Sequence, residues 1–267
     1  MSHRFLRRAG PGVIVQKLVA KAVLERRLIA EGDRILIAAS GGKDSSVMAW
    51  ALSSLRRALK TNYQLEALHI SSDFCYCCRK SVLAARLKEW EIPFTDLSAP
   101  IIGRLKEGRK MNCYWCSTQR RTELIRYALE KGFNKIALGH HLDDIIETFF
   151  MNMTGKGVLS TMPMYLSYRK YPLSLIRPLG YLEEREIIAC ADEQGILNTA
   201  CTCPYGVNSG RRDMRDRIAA FTLNSGPMKR RILSALSRGG LLADNDEHDG
   251  HEEPNVREER NNRGPIK

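Results

Sequence analysis

Residues 36–50 read LIAASGGKDSSVMAW and join an apolar, strand-like segment to a helix-like one through a short polar loop. Gly41 and Gly42 have no side chains, so the backbone N–H groups of this loop can approach a ligand closely. Such N–H groups at the start of a helix bind anions, and Lys43 adds a positive charge. A Gly-Gly pair alone is equally compatible with an ordinary strand–turn–helix corner. The whole string predicts a phosphate site, and it differs from the Walker pattern because only the lysine directly follows the glycines.

A second polar string, LGHHLDDIIETFFMN, contains two histidines and two adjacent aspartates. Carboxylates are favourable at a helix N-terminus, so Asp143 and Asp144 by themselves are compatible with simple capping. His140 and His141 are likewise compatible with one packed and one exposed histidine that have no catalytic role. Opposite a phosphate loop, however, an acidic pair can bind the Mg²⁺ that accompanies ATP.

The eight cysteines of a chain without a secretion signal argue against a disulfide framework and favour metal or redox chemistry. Cys113 and Cys116 form a C-x-x-C pair, predicted to lie just before a helix that opens at about Ser117. A helix N-terminus lowers the pKa of a thiol and so favours metal binding. The distant pair Cys201 and Cys203 could supply the remaining ligands: four thiolates suit tetrahedral zinc, whereas three leave one iron of an iron–sulfur cluster open.

Short apolar strands alternate along the chain with longer helical patterns, and these elements must position the polar strings. The predicted strands cover residues 34–39, 65–70, 94–97, 135–138 and 173–176. The predicted helices cover residues 13–30, 45–59, 80–90, 119–131, 142–152, 183–194 and 208–223. This order predicts an α/β fold with a Rossmann-like parallel sheet covered on both faces and a small C-terminal helical section.

Ligands of such sheets bind outside the carboxyl ends of the strands, which places residues 40–45, 69–74 and 139–144 around one crevice. The predicted domain organisation has four parts. A basic helix covers residues 1–30, and an α/β domain with the phosphate loop and the C-x-x-C pair covers 31–180. A helical section with the late cysteine pair covers 181–237, and a disordered polar tail covers 238–267.

Charge is distributed unevenly along the chain, whose net charge is +12. The tail 238–267 has five Lys/Arg and eight Asp/Glu, so the rest of the chain holds 37 basic and 22 acidic residues, a net charge of +15. A body of this charge favours a polyanion such as nucleic acid as partner. No apolar run approaches the roughly 20 residues of a membrane span, and the basic N-terminus lacks the apolar segment of a secretory signal. A cytoplasmic protein without membrane contact is therefore expected.

Five motifs together resemble the tRNA 2-thiocytidine synthetase group of PP-loop proteins. They are SGGKDS, which resembles the PP-loop of the ATP pyrophosphatases, the C-x-x-C pair followed by Arg120-Arg121, LGHHLDD, Arg177-Pro178-Leu179 and the late cysteine pair. The resemblance runs from about Arg4 to Phe221. It implies an enzyme that uses ATP to adenylate a pyrimidine C2 carbonyl in tRNA and then replaces the oxygen with sulfur, with 2-thiocytidine as the product.

The resemblance also assigns residues, cofactors and partners. It implies catalytic roles for Lys43, Asp44 and Asp144, and nucleotide contacts from Ala39, Ser40, Gly41, Gly42, Lys43, Asp44, Ser45, His69 and Gly139. It places a [4Fe–4S] cluster that carries the sulfur on Cys113, Cys116 and Cys203, since Asn208 and Arg212 keep the family spacing from Cys203 rather than from Cys201. ATP, Mg²⁺, tRNA and a persulfide or sulfide donor such as a cysteine desulfurase system are implied partners, and a homodimer is left open.

Two departures from the family pattern leave alternatives open. The late pair is Cys201-Thr-Cys203 where the family has C-x-x-C, and the following Cys-Pro-Tyr is similar to the enzymes that form 2-thiouridine at position 54. Cys75, Cys77 and Cys78 have no counterpart in the family pattern, and a sulfur relay, a second metal site or incidental packing would each explain them. The rival functions are a zinc-containing enzyme similar to lysidine synthetase and a zinc-stabilised RNA-binding protein with a vestigial loop.

Overall fold

The computed structural model describes residues 9–59, 61–74, 80–196 and 210–242. Within them the strands are β1 (Arg34–Ala38), β2 (Gln64–Ser72), β3 (Phe94–Ala99), β4 (Lys135–Ala137), β5 (Tyr165–Ser167) and β6 (Ser174–Ile176). The helices are α1 (Pro11–Glu25), α2 (Lys43–Ala58), α3 (Lys80–Glu89), α4 (Cys113–Lys131), α5 (Leu142–Lys156), α6 (Glu184–Glu193), α7 (Gly210–Thr222) and α8 (Gly226–Arg238).

These strands form one sheet in the order β3-β2-β1-β4-β6-β5. The first five strands in this order are parallel, and β5 runs antiparallel to β6. The chain goes from β1 outward to β2 and β3 and then crosses to β4 on the other side of β1. The strand order therefore reverses between β1 and β4, where open α/β sheets bind their ligands. The predicted α/β fold with a Rossmann-like parallel sheet is confirmed.

The central strand β1 explains why both faces of the sheet are covered. Its side chains alternate between two hydrophobic clusters: Ile35 and Ile37 belong to one, and Leu36 belongs to the other. All three are fully buried. Strands of parallel sheets that are buried on both faces have continuous apolar runs, which is the pattern this segment shows.

All five predicted strands are present in the structure, whereas the short strand β5 was not anticipated. Its three residues form the outer edge of the sheet, paired with β6 from Tyr165↔Ile176 to Ser167↔Ser174. A strand this short has too few residues for an alternating pattern to stand out from a loop.

The predicted start of the polar tail at residue 238 needs correction. Arg238 is the last residue of α8, and the chain then turns back, with the Leu241 N–H donating to the Leu236 carbonyl over 3.0 Å. Leu242 is 2% exposed and belongs to the larger hydrophobic cluster. The folded body therefore extends at least to Leu242.

The remaining boundaries of the four-part division stay a prediction. The N-terminal helix α1 packs against α6, and the Gly12 N–H donates to Glu193 Oε2 over 2.6 Å.

Among the described helices, none is both long and apolar enough to cross a membrane.

Candidate functional site

The loop between β1 and α2 has the backbone shape that its glycines predict. Gly41 has φ +80°, a left-handed conformation that side-chain-bearing residues rarely adopt. Gly42 is extended and is the N-cap of α2, where no side-chain cap bond forms within the described part of the chain. The first turn of α2 thus presents backbone N–H groups at the positive end of its dipole, toward the carboxyl end of β1.

Two serine hydroxyls brace this loop from inside. Ser45 Oγ donates to the Gly42 carbonyl over 3.1 Å, and the Gly42 N–H donates to Ser40 Oγ over 3.2 Å. The two hydroxyl oxygens are 3.0 Å apart, so Ser40 is the donor between them. These bonds hold the loop in its curved form before any ligand binds, which reduces the ordering cost of binding.

Lys43 is engaged by two carboxylates. Its Nζ lies 2.9 Å from Glu184 Oε1 and 3.2 Å from Asp44 Oδ1. Burial by itself would lower the pKa of Lys43, but the hydrogen bond to Glu184 and the charge of Asp44 outweigh it and raise the pKa. The lysine is therefore fully charged at neutral pH, and a bound phosphate would have to compete with Glu184 for it.

Close to the loop, Gly139 and His69 complete the walls of the crevice. A Cβ on Gly139 would lie 3.1 Å from the Ser45 backbone nitrogen, so glycine permits the end of β4 to approach α2. His69 is buried on β2, and its Nδ1 lies 2.6 Å from the Ala39 carbonyl and donates to it. Its Nε2 is buried and lacks a hydrogen-bond partner within the described residues. Burial lowers the pKa of His69, so the neutral ring presents an unsatisfied acceptor.

The two aspartates at the start of α5 have different surroundings. Asp143 Oδ1 accepts from Lys229 Nζ over 2.6 Å, and its Oδ2 accepts from the Glu184 N–H over 2.7 Å. Burial would raise the pKa of Asp143, but the His141 ring 3.6 Å away and the hydrogen bond from Lys229 hold it well below its usual range. Asp143 therefore connects α5 to α6 and α8, which is a structural role.

Asp144 remains the candidate for the metal. Its Oδ2 accepts from the His141 N–H over 3.1 Å, as a helix-capping carboxylate does, and its Oδ1 accepts from Arg211 Nη1 over 3.2 Å. Burial would raise its pKa, yet the charge of His141 and the hydrogen bond from the His141 N–H lower it. The arginine on α7 thus neutralises the oxygen that would otherwise face a cation.

Both histidines of this motif are packed, so neither is the exposed residue that the sequence left open. His141 is buried as the N-cap of α5. His140 is half-buried, and its Nδ1 accepts from Arg177 Nε over 3.3 Å. Burial, followed by the charge of Arg177, lowers the pKa of His140. His140 is therefore a neutral acceptor at physiological pH.

The C-x-x-C pair lies within the first turn of α4, four residues before the predicted helix start at Ser117. The Asn112 side chain accepts from the Trp115 N–H over 2.9 Å and caps the helix at this earlier point. Cys113 is exposed, and Cys116 is half-buried against the smaller hydrophobic cluster. Residues three apart on a helix share a face, so the two thiols can bind one group together.

Further along α4, two arginines influence the histidines of the crevice through their charges. Burial is the main cause of the lowered pKa of His69, and the charge of Arg120 acts in the same direction. The charge of Arg121 likewise contributes to the lowered pKa of His140. One helix therefore carries both the cysteine pair and two arginines whose charges act on the histidines of the crevice.

Several predicted site residues fall outside the described ranges. Cys75, Cys77 and Cys78 lie in residues 75–79, and Cys201, Cys203 and Asn208 lie in residues 197–209. Of the three predicted cluster ligands, the structure therefore places Cys113 and Cys116.

Sequence reasoning missed the ionic network that α6, α7 and α8 contribute. Arg215 Nε donates to Glu147 Oε1 over 2.7 Å, and its Nη1 lies 3.4 Å from Glu184 Oε2. These groups line an open cleft of about 300 Å³ between α5, α6, α7 and α8. The only signal in the sequence is a set of charges at helical spacing, which is more often a solvated helix face than a buried network.

Comparison with known proteins identifies the family. A family model described as a PP-loop domain matches residues 13–200. The tRNA-cytidine(32) 2-sulfurtransferase of Syntrophotalea carbinolica is 37% identical over 228 residues, covering 83% of this chain and 87% of the relative. The protein of the same name from Geobacter metallireducens is 36% identical over 224 residues, covering 82% of this chain and 87% of the relative.

Among solved structures, a U34-tRNA thiolase from Methanococcus maripaludis with its [4Fe-4S] cluster has a TM-score of 0.73 and covers 96% of this chain and 89% of its own. Its sequence is 24% identical, so this similarity establishes the fold alone. The chain belongs to the PP-loop family, in the branch of its 2-sulfurtransferase relatives, and the resemblance inferred from the motifs is confirmed.

Proposed function

We propose that this PP-loop protein is an ATP-dependent tRNA sulfurtransferase that replaces the C2 oxygen of cytidine 32 with sulfur. The names of the relatives supply the nucleotide and its position. The observation that carries the proposal is the placement of α4. Its first turn holds Cys113 and Cys116, and the same helix carries Arg120 and Arg121, whose charges act on the histidines of the phosphate crevice.

The crevice fits ATP on three observations. The uncapped first turn of α2 and Lys43 suit phosphate oxygens. Gly139 permits the end of β4 to approach the first turn of α2, where the phosphates would bind. The unsatisfied Nε2 of His69 suits a donor such as a ribose hydroxyl or an amino group of the base.

Both aspartates accept through both oxygens, but Asp144 is the residue that would hold Mg²⁺, because its partner Arg211 is 41% exposed and can leave more easily than Lys229, the 14% exposed partner of Asp143. The metal would supply positive charge to the phosphate oxygens. Occupation of this site requires Arg211 to leave Oδ1 of Asp144, and a phosphate group of ATP is then the natural new partner of the arginine.

Adenylation explains why ATP is needed. The C2 oxygen of cytosine is amide-like and a poor leaving group, so sulfide does not displace it readily. Attack of this oxygen on the α-phosphorus forms a C2–O–AMP ester and releases pyrophosphate. Sulfide then adds at C2, the C2–O bond breaks, and AMP departs with the oxygen. Lys43 and the loop N–H groups stabilise the charge that develops on the departing pyrophosphate.

The cysteine set fits a [4Fe–4S] cluster rather than a disulfide. Cys113 and Cys116 share one face of the first turn of α4, and Cys203 is the proposed third ligand. A cluster with three protein thiolates would supply one open iron that binds sulfide. Cys190 does not qualify, because it is buried and burial raises its pKa to about 11.

The proposed partners follow from this chemistry. The basic body binds tRNA, and the target base must turn out of its stack to reach the crevice. A persulfide or sulfide donor, such as a cysteine desulfurase system, delivers the sulfur. The proposed place of action is the cytoplasm, where tRNA is modified.

Anaerobic reconstitution tests the proposal. The purified protein is loaded with iron and sulfide, incubated with ATP, Mg²⁺, sulfide and a tRNA transcript, and the nucleosides are measured by mass spectrometry. We expect 2-thiocytidine, and none from a transcript that carries guanosine at position 32. Formation of 2-thiouridine instead would favour the alternative substrate. An iron-loaded protein that consumes ATP and thiolates neither nucleotide would refute the proposal, and stoichiometric zinc with lysine consumption would favour the lysidine-type rival.

A further inference from the structure

Tyr114 is the most exposed aromatic side chain of α4, with 69% of its surface in solvent. It stands between Cys113 and Cys116 in the first helical turn. Its neighbour Trp115 is turned inward, since the indole N–H donates to the Ile101 carbonyl over 3.0 Å. Consecutive helix residues point in directions about 100° apart, so the burial of Trp115 directs Tyr114 outward.

This exposure is not the result of a frayed helix end. The Asn112 cap fixes the turn, and the hydroxyls of Ser117 and Thr118 both donate to the Tyr114 carbonyl over 2.9 Å. Among the described residues, the aromatic ring pairs do not include Tyr114, whereas the similarly exposed Phe221 packs against Phe150 at 6.4 Å. The structure thus holds a large aromatic ring in solvent beside the two thiols.

The segment that leads into α4, close to Tyr114 in sequence, carries exposed positive charge. Lys106, Arg109 and Lys110 are all exposed, and Glu107 is the single acid among residues 103–112. The beginning of the segment is anchored: Asp73 accepts from the N–H groups of Ile102 and Gly103 over 3.0 Å each, and Arg104 pairs with the buried Glu123. The basic residues therefore extend from a fixed base next to the cysteine turn.

We propose that Tyr114 is a stacking platform for an unpaired RNA base beside the target nucleotide, and that the basic segment binds the flanking phosphates. The inference rests on the proposed function and specifies how the substrate is recognised. Single-stranded RNA is recognised by stacking of splayed bases on aromatic rings, combined with cations along the backbone. Nucleotide 32 lies in the anticodon loop, whose bases are unpaired and accessible to such a ring. A base on Tyr114 would hold its neighbour next to the two thiols.

Substitutions at this one position separate stacking from other effects. Tyr114→Phe keeps the ring, Tyr114→Leu keeps apolar bulk without a π face, and Tyr114→Ala removes both. Phe221→Ala is the matched control, because Phe221 is 65% exposed on a different helix. The cluster-loaded protein is titrated anaerobically with an anticodon stem-loop RNA that carries 2-aminopurine next to the target cytidine.

We expect Tyr114→Phe and Phe221→Ala to bind this RNA like the unsubstituted protein, with quenched fluorescence. Tyr114→Leu and Tyr114→Ala should bind about tenfold more weakly and lose the quenching. Iron content should be unchanged in all four variants. Arg109→Ala should weaken binding to every RNA sequence and reduce the salt dependence by about one phosphate contact.

Two results would overturn the proposal. The first is unchanged RNA affinity and quenching in Tyr114→Ala. The second is a variant impaired only in turnover with a protein persulfide donor and normal with free sulfide, since the ring would then contact the donor protein. Thiolation by the unsubstituted protein is measured in parallel. If it thiolates tRNA while Tyr114→Ala binds RNA normally, the stacking proposal fails and the proposed function stands.

Discussion

Glu184 competes with ATP for Lys43, and removing its charge should increase the affinity for the nucleotide. Lys43, which we propose stabilises phosphate charge, lies 2.9 Å from Glu184 Oε1 in the structure. Glu184→Gln preserves the shape and an acceptor oxygen. It also leaves the Glu184 backbone N–H bonded to Asp143, so the start of α6 keeps its position. The substitution therefore removes the charge that holds Lys43. It also weakens the 3.4 Å pair of Glu184 with Arg215, but Arg215 keeps its bond to Glu147.

The size of the effect follows from the burial of the pair. The side chains of Lys43 and Glu184 are 24% and 29% exposed, so solvent screens their attraction only in part. A charge-assisted hydrogen bond contributes roughly 1.5–3 kcal/mol, and the neutral bond that glutamine can still accept contributes about 0.5–1.5 kcal/mol. The difference of about 1–1.5 kcal/mol corresponds to roughly tenfold tighter binding.

Calorimetric titration with a non-hydrolysable ATP analogue and Mg²⁺ measures this affinity. Glu186→Gln is the matched control, because Glu186 lies in the same helical turn and contacts Arg230 rather than Lys43. The gain from Glu184→Gln should disappear when it is combined with Lys43→Ala, since there is then no lysine to release. Weaker binding by Glu184→Gln would refute the reasoning, because it would mean that Glu184 positions Lys43 for the phosphate or contacts the nucleotide itself.

Three further predictions concern the cluster, the buried aspartate and the C-terminus. Cys113→Ala should lose bound iron and activity, whereas Cys190→Ala should keep its iron by elemental analysis; equal iron in both would contradict the ligand assignment. The pKa of Asp143 lies below its ordinary value of 3.8, so its contribution to stability is complete above that value and is lost as the pH falls through the folded-state pKa. The acid dependence of Tm should therefore weaken in Asp143→Asn, and an unchanged dependence would count against this role. Truncation after residue 242 should leave Tm unchanged, whereas truncation after residue 237 removes the buried Leu242 and should cost about 2–5 kcal/mol of unfolding free energy, as measured by denaturant titration.

The parts of the site that the sequence predicted are those formed by local backbone geometry. The phosphate loop depends on Gly41 and Gly42 and on the junction of one strand with one helix, and all of these are neighbours in the chain. The crevice followed from a topological rule that needs only the order of strands and helices. These inferences require no knowledge of which distant side chains meet.

The start of α4 was misplaced for a reason that is also local. The predicted start at Ser117 relied on the amphipathic pattern, which becomes clear only after the cysteines. Asn112 begins the helix earlier, because its side chain caps the Trp115 N–H and the cap precedes the apolar repeat. Asparagine before a C-x-x-C pair was therefore the signal that could have placed the thiols inside the helix.

The roles of the two aspartates could not be separated from the sequence, because their partners are distant. Asp143 bonds to Lys229 on α8, 86 residues away, and Asp144 bonds to Arg211 on α7, 67 residues away. Adjacent residues of one type give no sign of which faces the ligand. Only the packing of α7 and α8 against α5 distinguishes a structural carboxylate from the candidate metal ligand.

The packing of α7 and α8 against α5 also determines which of the basic side chains are free to bind a polyanion. Asp143, Asp144, Glu147 and Glu184 gather near the phosphate loop, and by themselves they would repel the polyphosphate of ATP. Cations from α7 and α8 neutralise them: Lys229 pairs with Asp143, Arg211 with Asp144, and Arg215 with Glu147 and Glu184. Part of the positive charge of the body is therefore paired with carboxylates inside the protein. This pairing reduces the electrostatic repulsion between the crevice and a bound anion. The cations that remain for RNA are those whose side chains extend into solvent, such as the basic segment before α4. Net charge alone predicts a polyanion partner, and the pairing of individual charges determines which surface can bind it.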